Sequence, residues 1–135
     1  MTRSVIAYIA TALVFLALDA VWLSQMSGRL YKPALGDLAL DGFRLGPAAA
    51  FYLIYVLGVV VMAIAPGLRE ADWQRAALNG ALLGFFAYST YDLTNQATLK
   101  HWSTTLTVVD IAWGTFASCV AATAGYAAAA FFSKA

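Results

Sequence analysis

Charge is scarce in this chain, and cysteine and histidine are almost absent. Only 11% of its 135 residues are charged, against roughly 25% in a soluble domain. The lone Cys119 excludes an intrachain disulfide and any cysteine-based metal site; among small residues late in the chain, it reads as a packing residue. The one histidine, His101, stands beside Trp102 at the edge of an apolar run and reads as interfacial. A net charge of +1 gives no case for nucleic-acid binding or for electrostatic recruitment to a membrane surface. Serine-hydrolase, zinc-protease and phosphate-loop motifs are missing, so no cofactor is expected.

What fills the chain instead is apolar sequence: 62% of it is hydrophobic, with a mean hydropathy of +0.74. Four segments carry the excess, at about 4–26, 47–65, 73–98 and 104–132. A spanning helix needs about 20 mostly apolar residues. The expected fold is therefore an all-α integral membrane bundle of four transmembrane helices, one domain over 1–135, with antiparallel neighbours and both termini on one side. A soluble four-helix bundle is excluded by the second segment, which has no solvated face. A cleavable signal peptide does not fit the first, which is too long and is interrupted by Asp19.

Local chemistry marks the ends. Thr2 or Ser4 can cap the first helix, Asp72 the third and Ser103 the fourth. Gly46-Pro47 opens the second helix and Pro66-Gly67 is expected to close it. The linker from Ser27 to Gly46 mixes leucines and Phe43 with Lys32, Asp37, Asp41 and Arg44, which suits a segment lying at the membrane interface. Orientation is balanced. Arg3, Arg69, Arg75 and Lys134 fall on the side of the termini, and Arg29, Lys32, Arg44 and Lys100 on the other. Dilution of the long linker by Asp37 and Asp41 favours cytoplasmic termini.

Three carboxylates interrupt the apolar segments: Asp19, Asp92 and Asp110. An ionisable group within a membrane segment is a functional-site candidate. At the helical rise, Asp19 lies roughly 6 Å, Asp92 roughly 8 Å and Asp110 roughly 10 Å from the midpoints of their helices. All three fall toward the same face, the one carrying the first and third linkers. Tyr52, Tyr55, Tyr88, Tyr91 and Asn95 fall in that half too, as do Trp22 and Trp113, each three residues after an aspartate. Lys100 stands at the mouth, with Arg29, Tyr31 and Lys32 from the other linker. The opposite half is expected to be dry. Desolvation and mutual repulsion disfavour ionising all three carboxylates, so a proton or a cation is expected among them, Lys100 being the best internal partner. Asn95 and His101 add oxygen and nitrogen donors, but the spacing gives no metal motif, and no metal is expected.

Leu18-Asp19-Ala20-Val21-Trp22 and Val109-Asp110-Ile111-Ala112-Trp113 share a D-x-x-W pattern on helices of opposite direction, as an inverted repeat would; five residues do not establish one. Gly80 and Gly84, and Gly114, Ser118 and Ala122, form small-residue stripes suited to close helix contact, within the chain or in a homodimer.

The run Tyr91-Asp92-Leu93-Thr94-Asn95-Gln96-Ala97-Thr98-Leu99-Lys100, followed by Trp102, closely resembles the signature of a family of small bacterial inner-membrane proteins, domain of unknown function 2177. Leu18-Asp19 with Trp22-Leu23, Phe51-Tyr52 with Tyr55, and Asp110 with Trp113-Gly114 extend the resemblance over nearly the whole chain. Ser103 stands where members often have proline. The resemblance implies four helices and a multi-pass place in a bacterial inner membrane, and no particular activity. Three functions fit the residues. The first is a pocket of Asp19, Trp22, Tyr52, Tyr55, Tyr88, Tyr91, Asp92, Asn95, Lys100, Asp110 and Trp113 that binds or transports a cation, a proton or a small polar or lipid-headgroup ligand, with the bilayer as its surroundings. The second is a membrane enzyme on a lipid or apolar substrate, with Asp92 as general acid or base and Asp19 and Asp110 beside it. The third is an accessory subunit whose aspartates clasp helices together. The first is preferred.

Overall fold

The computed structural model describes residues 2–38 and 44–133. Leu40, Asp41, Phe43 and Lys134, which entered the expectations above, lie outside the described residues. Helix α1 (Thr2–Met26) runs on through a π turn, Ser27–Tyr31, into the short α2 (Lys32–Leu35) and a 3-10 turn, Gly36–Leu38. Helix α3 (Leu45–Val59) continues through a second π turn, Val60–Ile64, into α4 (Ala65–Glu70). Helices α5 (Trp73–Thr98) and α6 (Thr104–Phe132) complete an all-helical bundle.

Three stretches are long and apolar enough to cross a membrane: Thr2–Tyr31, Leu45–Glu70 and Thr104–Phe132. Helix α5 has 26 residues, as long as the second of these, but Arg75, Asn79, Asp92, Asn95 and Gln96 dilute its apolar character. The first turns of α5 and α6 are capped by the expected residues. Asp72 accepts from the Gln74 amide at 2.9 Å, and across the next turn Ser103 accepts from the Leu106 amide at 3.0 Å.

Pro66-Gly67 does not end the second stretch. The wide π turn just ahead leaves Pro66 in the first turn of α4, where a missing N–H is tolerated. The chain stops instead at Ala71, which takes the left-handed conformation (φ 53°). The π turn also frees a carbonyl, and Asn79 of α5 donates to the Met62 oxygen at 3.0 Å. Gly67 is needed for a close approach: a Cβ there would meet the Ala76 Cβ at 2.9 Å.

Helix α6 is the centre of the bundle, packed most extensively against α5 and then α1. Its buried stripe is Asp110, Gly114, Ala117, Ser118, Ala121, Gly125 and Ala129, small residues returning every three or four positions. Gly80 and Gly84 of α5 face this stripe. A Cβ on Gly80 would lie 2.6 Å from the Ala122 Cβ and 2.8 Å from the Ser118 carbonyl oxygen. The glycine face of α5 is thus spent inside the chain. Large apolar side chains point outward instead: Leu13 is 65% exposed and Ile54 70%, while Asp92 is 0%. Apolar outside and carboxyl inside is the arrangement that hydrocarbon surroundings favour.

Candidate functional site

The polar cluster sits where α1, α3, α5 and α6 converge below the first linker. Asp92 of α5 is fully buried, and Asp110 of α6 is 6% exposed. Their carboxyl groups lie beside each other across the helix seam. Among the described residues, no N–H or hydroxyl donates a hydrogen bond to either oxygen of Asp92. Two carboxyl groups can bond only through a proton held between them.

The register of this pair is set one turn away. Gln96, four residues after Asp92, accepts from the Thr107 hydroxyl at 2.7 Å and donates to Thr104 Oγ1 at 2.9 Å. The Trp102 indole donates to the same Thr107 hydroxyl at 2.9 Å. Thr107 is three residues before Asp110, so this network pins α5 to α6 beside the two carboxyls.

Asp110 also accepts from the Tyr31 hydroxyl, whose oxygen in turn accepts from the Trp22 indole at 2.7 Å. Asp19 of α1 accepts from the Tyr52 hydroxyl of α3. Between them, the Trp22 and Trp113 rings stack with centroids 4.4 Å apart and planes 6° from parallel. The two D-x-x-W motifs therefore meet in space on antiparallel helices, and each indole serves the other helix. Trp22 reaches Asp110 through Tyr31. Trp113 lies by Asp19 with its N–H buried.

The tyrosines divide by orientation. Tyr88 is half-buried, packs its ring on Gly114 and stands edge-on to Tyr55 at 6.3 Å. Tyr55 is buried and shares a hydrogen bond of 2.6 Å with the Ser118 hydroxyl. Tyr91 turns outward at 58% exposure and packs edge-on against Trp102. Adjacent residues on a helix point about 100° apart, so burying Asp92 turns Tyr91 away. Asn95 is half-buried one turn beyond Tyr91. Lys100, the expected partner of the aspartates, is exposed, as are Arg29 and Lys32. The one ion pair among the described residues is Arg75 with Glu70 at 2.8 Å, at the opposite end of α5. No three metal-ligating side chains come together among the described residues.

The expected dry half departs from expectation in holding the buried hydroxyl of Thr11, and Tyr55 pairs with Ser118 near the middle of the bundle. Tyr31 is the cluster residue that hydropathy misses, because it lies beyond the apolar run and inside a mixed linker. Tyr31→Phe removes the donor to Asp110 and the acceptor of Trp22 together. A loss of about 1–3 kcal/mol is expected for the groups left unpaired, measurable as a lower denaturation midpoint in detergent.

Three apolar spans around a buried carboxyl cluster define an α-helical membrane protein. The family model described as Predicted membrane protein (DUF2177) matches residues 4–127, and the chain belongs to that family. No curated protein and no solved structure matches the chain.

Proposed function

We propose that the ligand of the cluster is a proton, held by the Asp92–Asp110 pair and exchanged with water on the face that carries the α1–α3 linker and the α5–α6 turn. In this reading α5 crosses the bilayer as a fourth span, beside α6 and antiparallel to it. The chain is then a multi-pass protein of a bacterial inner membrane with both termini on one side. One observation carries the proposal: two buried carboxyl groups face each other with no basic side chain paired to either among the described residues. Ionising both would place like charges side by side in a poorly solvated site. A single small cation relieves this, and the proton is the one that needs no further ligands.

The test is modification by an apolar carbodiimide, which adds to a protonated carboxyl and leaves a carboxylate alone. In detergent or in vesicles, the adduct is expected at Asp92 or Asp110 by mass spectrometry. It should fade as the pH is raised, and Asp92→Asn should remove it. Absence of an adduct at every pH, or labelling indifferent to pH, refutes the proposal.

A further inference from the structure

The inner side of the α5–α6 seam holds the carboxyl pair; its outer side is not smooth either. Where Asp110, Gly114 and Ser118 turn inward, Val108, Ala112 and Phe116 are exposed on the opposite side of α6. A groove of about 610 Å³ runs along that side, within the size range of ligand clefts. Phe85 of α5 and Phe116 of α6, both exposed, are its bulky side chains. Ala81, Ala112, Thr115 and Cys119 are too small to fill the space beside them. The Thr115 hydroxyl is spent on the Ile111 carbonyl at 2.8 Å. The groove therefore keeps no strong donor of its own and suits an apolar occupant.

Its length and its upper end say which occupant. The groove follows α6, one of the three spans. From Val108 to Cys119 it covers roughly 16 Å of helix, and one leaflet of the hydrocarbon core is about 15 Å deep. Thr104, exposed and one turn before Val108, carries the same side of α6 up to the α5–α6 turn. That turn, residues 99–103, holds Lys100 and His101, both exposed, and no acidic residue. Lys100 makes no ion pair among the described residues. An acyl chain below an anionic headgroup matches both the apolar groove and the basic turn above it. A second copy of the chain matches only the groove. A twofold axis along the membrane normal would bring two such turns together at one height, like charge facing like.

We propose that this groove seats one chain of an anionic phospholipid from the leaflet on the linker side, with the phosphate held by Lys100 and the His101 ring N–H. The site is independent of the proton reading, since it uses the outer side of the seam and none of the carboxyl cluster. It lays apolar surface along α5, the long helix with the least apolar sequence of its own.

The probes are phosphatidylglycerol and phosphatidylcholine with the same chains, added to the protein in detergent and counted by native mass spectrometry. Wild type is expected to retain one phosphatidylglycerol, about fivefold more tightly than phosphatidylcholine, the effect of one cation at the membrane surface. Lys100→Gln should erase that difference. Ala112→Trp and Cys119→Leu each fill the groove from its outer side and should lose the bound lipid, with helical circular dichroism and a monodisperse peak kept. Either variant alone suffices if the other fails to fold. Equal retention of the two lipids by wild type, or retention of neither, overturns the proposal. So does an undiminished preference in Lys100→Gln, or undiminished binding in a folded Ala112→Trp or Cys119→Leu. A wild-type dimer that Ala112→Trp splits into monomers assigns the groove to a second copy and also overturns it.

Discussion

Asp110→Leu is expected to destabilise the protein by about 2–5 kcal/mol, because it orphans two buried groups at once. Asp110 is the acceptor for the Tyr31 hydroxyl and lies beside the fully buried Asp92 carboxyl. Leucine keeps the branching of aspartate, is bulkier and suits the membrane, so lost packing volume cannot account for the effect. Asp110→Asn separates the terms. Its amide oxygen still accepts from Tyr31, and its NH2 can donate to Asp92, so the fold should be kept. The proton shared by the pair is gone in that variant, and pH-dependent carbodiimide labelling should change with it. The measurements are denaturation midpoints in detergent for both variants, beside the labelling profile of Asp110→Asn. Near wild-type stability in Asp110→Leu would mean that the carboxyl pair contributes nothing to holding α5 on α6.

The double variant Asp92→Leu with Asp110→Leu sharpens the point. If the cost arises from Asp92 left without its partner, removing Asp92 as well should restore part of the stability, a non-additivity that a double-mutant cycle reads directly. Tyr31 would remain unpaired in the double variant, so recovery should be incomplete.

Apolar runs were the most legible part of the chain, because hydrocarbon surroundings demand about 20 of them at a time and tolerate few exceptions. Helix ends with a side-chain oxygen at the cap, Asp72 and Ser103, were legible for an equally local reason. Rise per residue alone puts Asp19, Asp92 and Asp110 in one half of the bundle, and in the structure Asp110 lies near each of the other two. Facing was less legible. Helix α5 is polar on more than one side near its C-terminal end, so periodicity does not say whether Tyr91 or Asp92 points inward. Long-range closure was not legible at all. Tyr31 bonds a carboxyl 79 positions away, from a linker whose composition suggests only an interfacial segment. Pro66 misleads because a π turn has no signature in composition. Lys100 misleads because a long cationic side chain beside a membrane edge does better extending to water than folding into the bundle. Ser118 and Thr11 pass as packing residues, since a small hydroxyl and a small apolar group serve close helix contact equally well.

Gly114→Val is expected to break the packing of the α5–α6 seam. A Cβ on Gly114 would fall within the Tyr88 ring, and the valine methyls would extend further into the same space. Tyr88 has nowhere to retreat on its own helix, because the neighbouring turn is held by Gly84, where a Cβ would itself lie 2.7 Å from the Ser118 side chain. Either the ring leaves the bundle or α5 moves off α6, and overpacking of a filled site costs about 1–3 kcal/mol or more. Moving α5 also parts Asp92 from Asp110, which lies one turn before Gly114 on the same stripe. Packing and site should therefore fail together: a lower denaturation midpoint, loss of a monodisperse peak in detergent, and loss of pH-dependent carbodiimide labelling. Pairing Gly114→Val with Tyr88→Ala tests the cause, since removing the ring opens the space the valine needs. Recovery of the helix seam in the double variant would assign the loss to the clash between the valine and the ring. If Gly114→Val alone keeps wild-type stability, the ring does not rest against α6 and Tyr88 cannot stand between the carboxyl cluster and Tyr55.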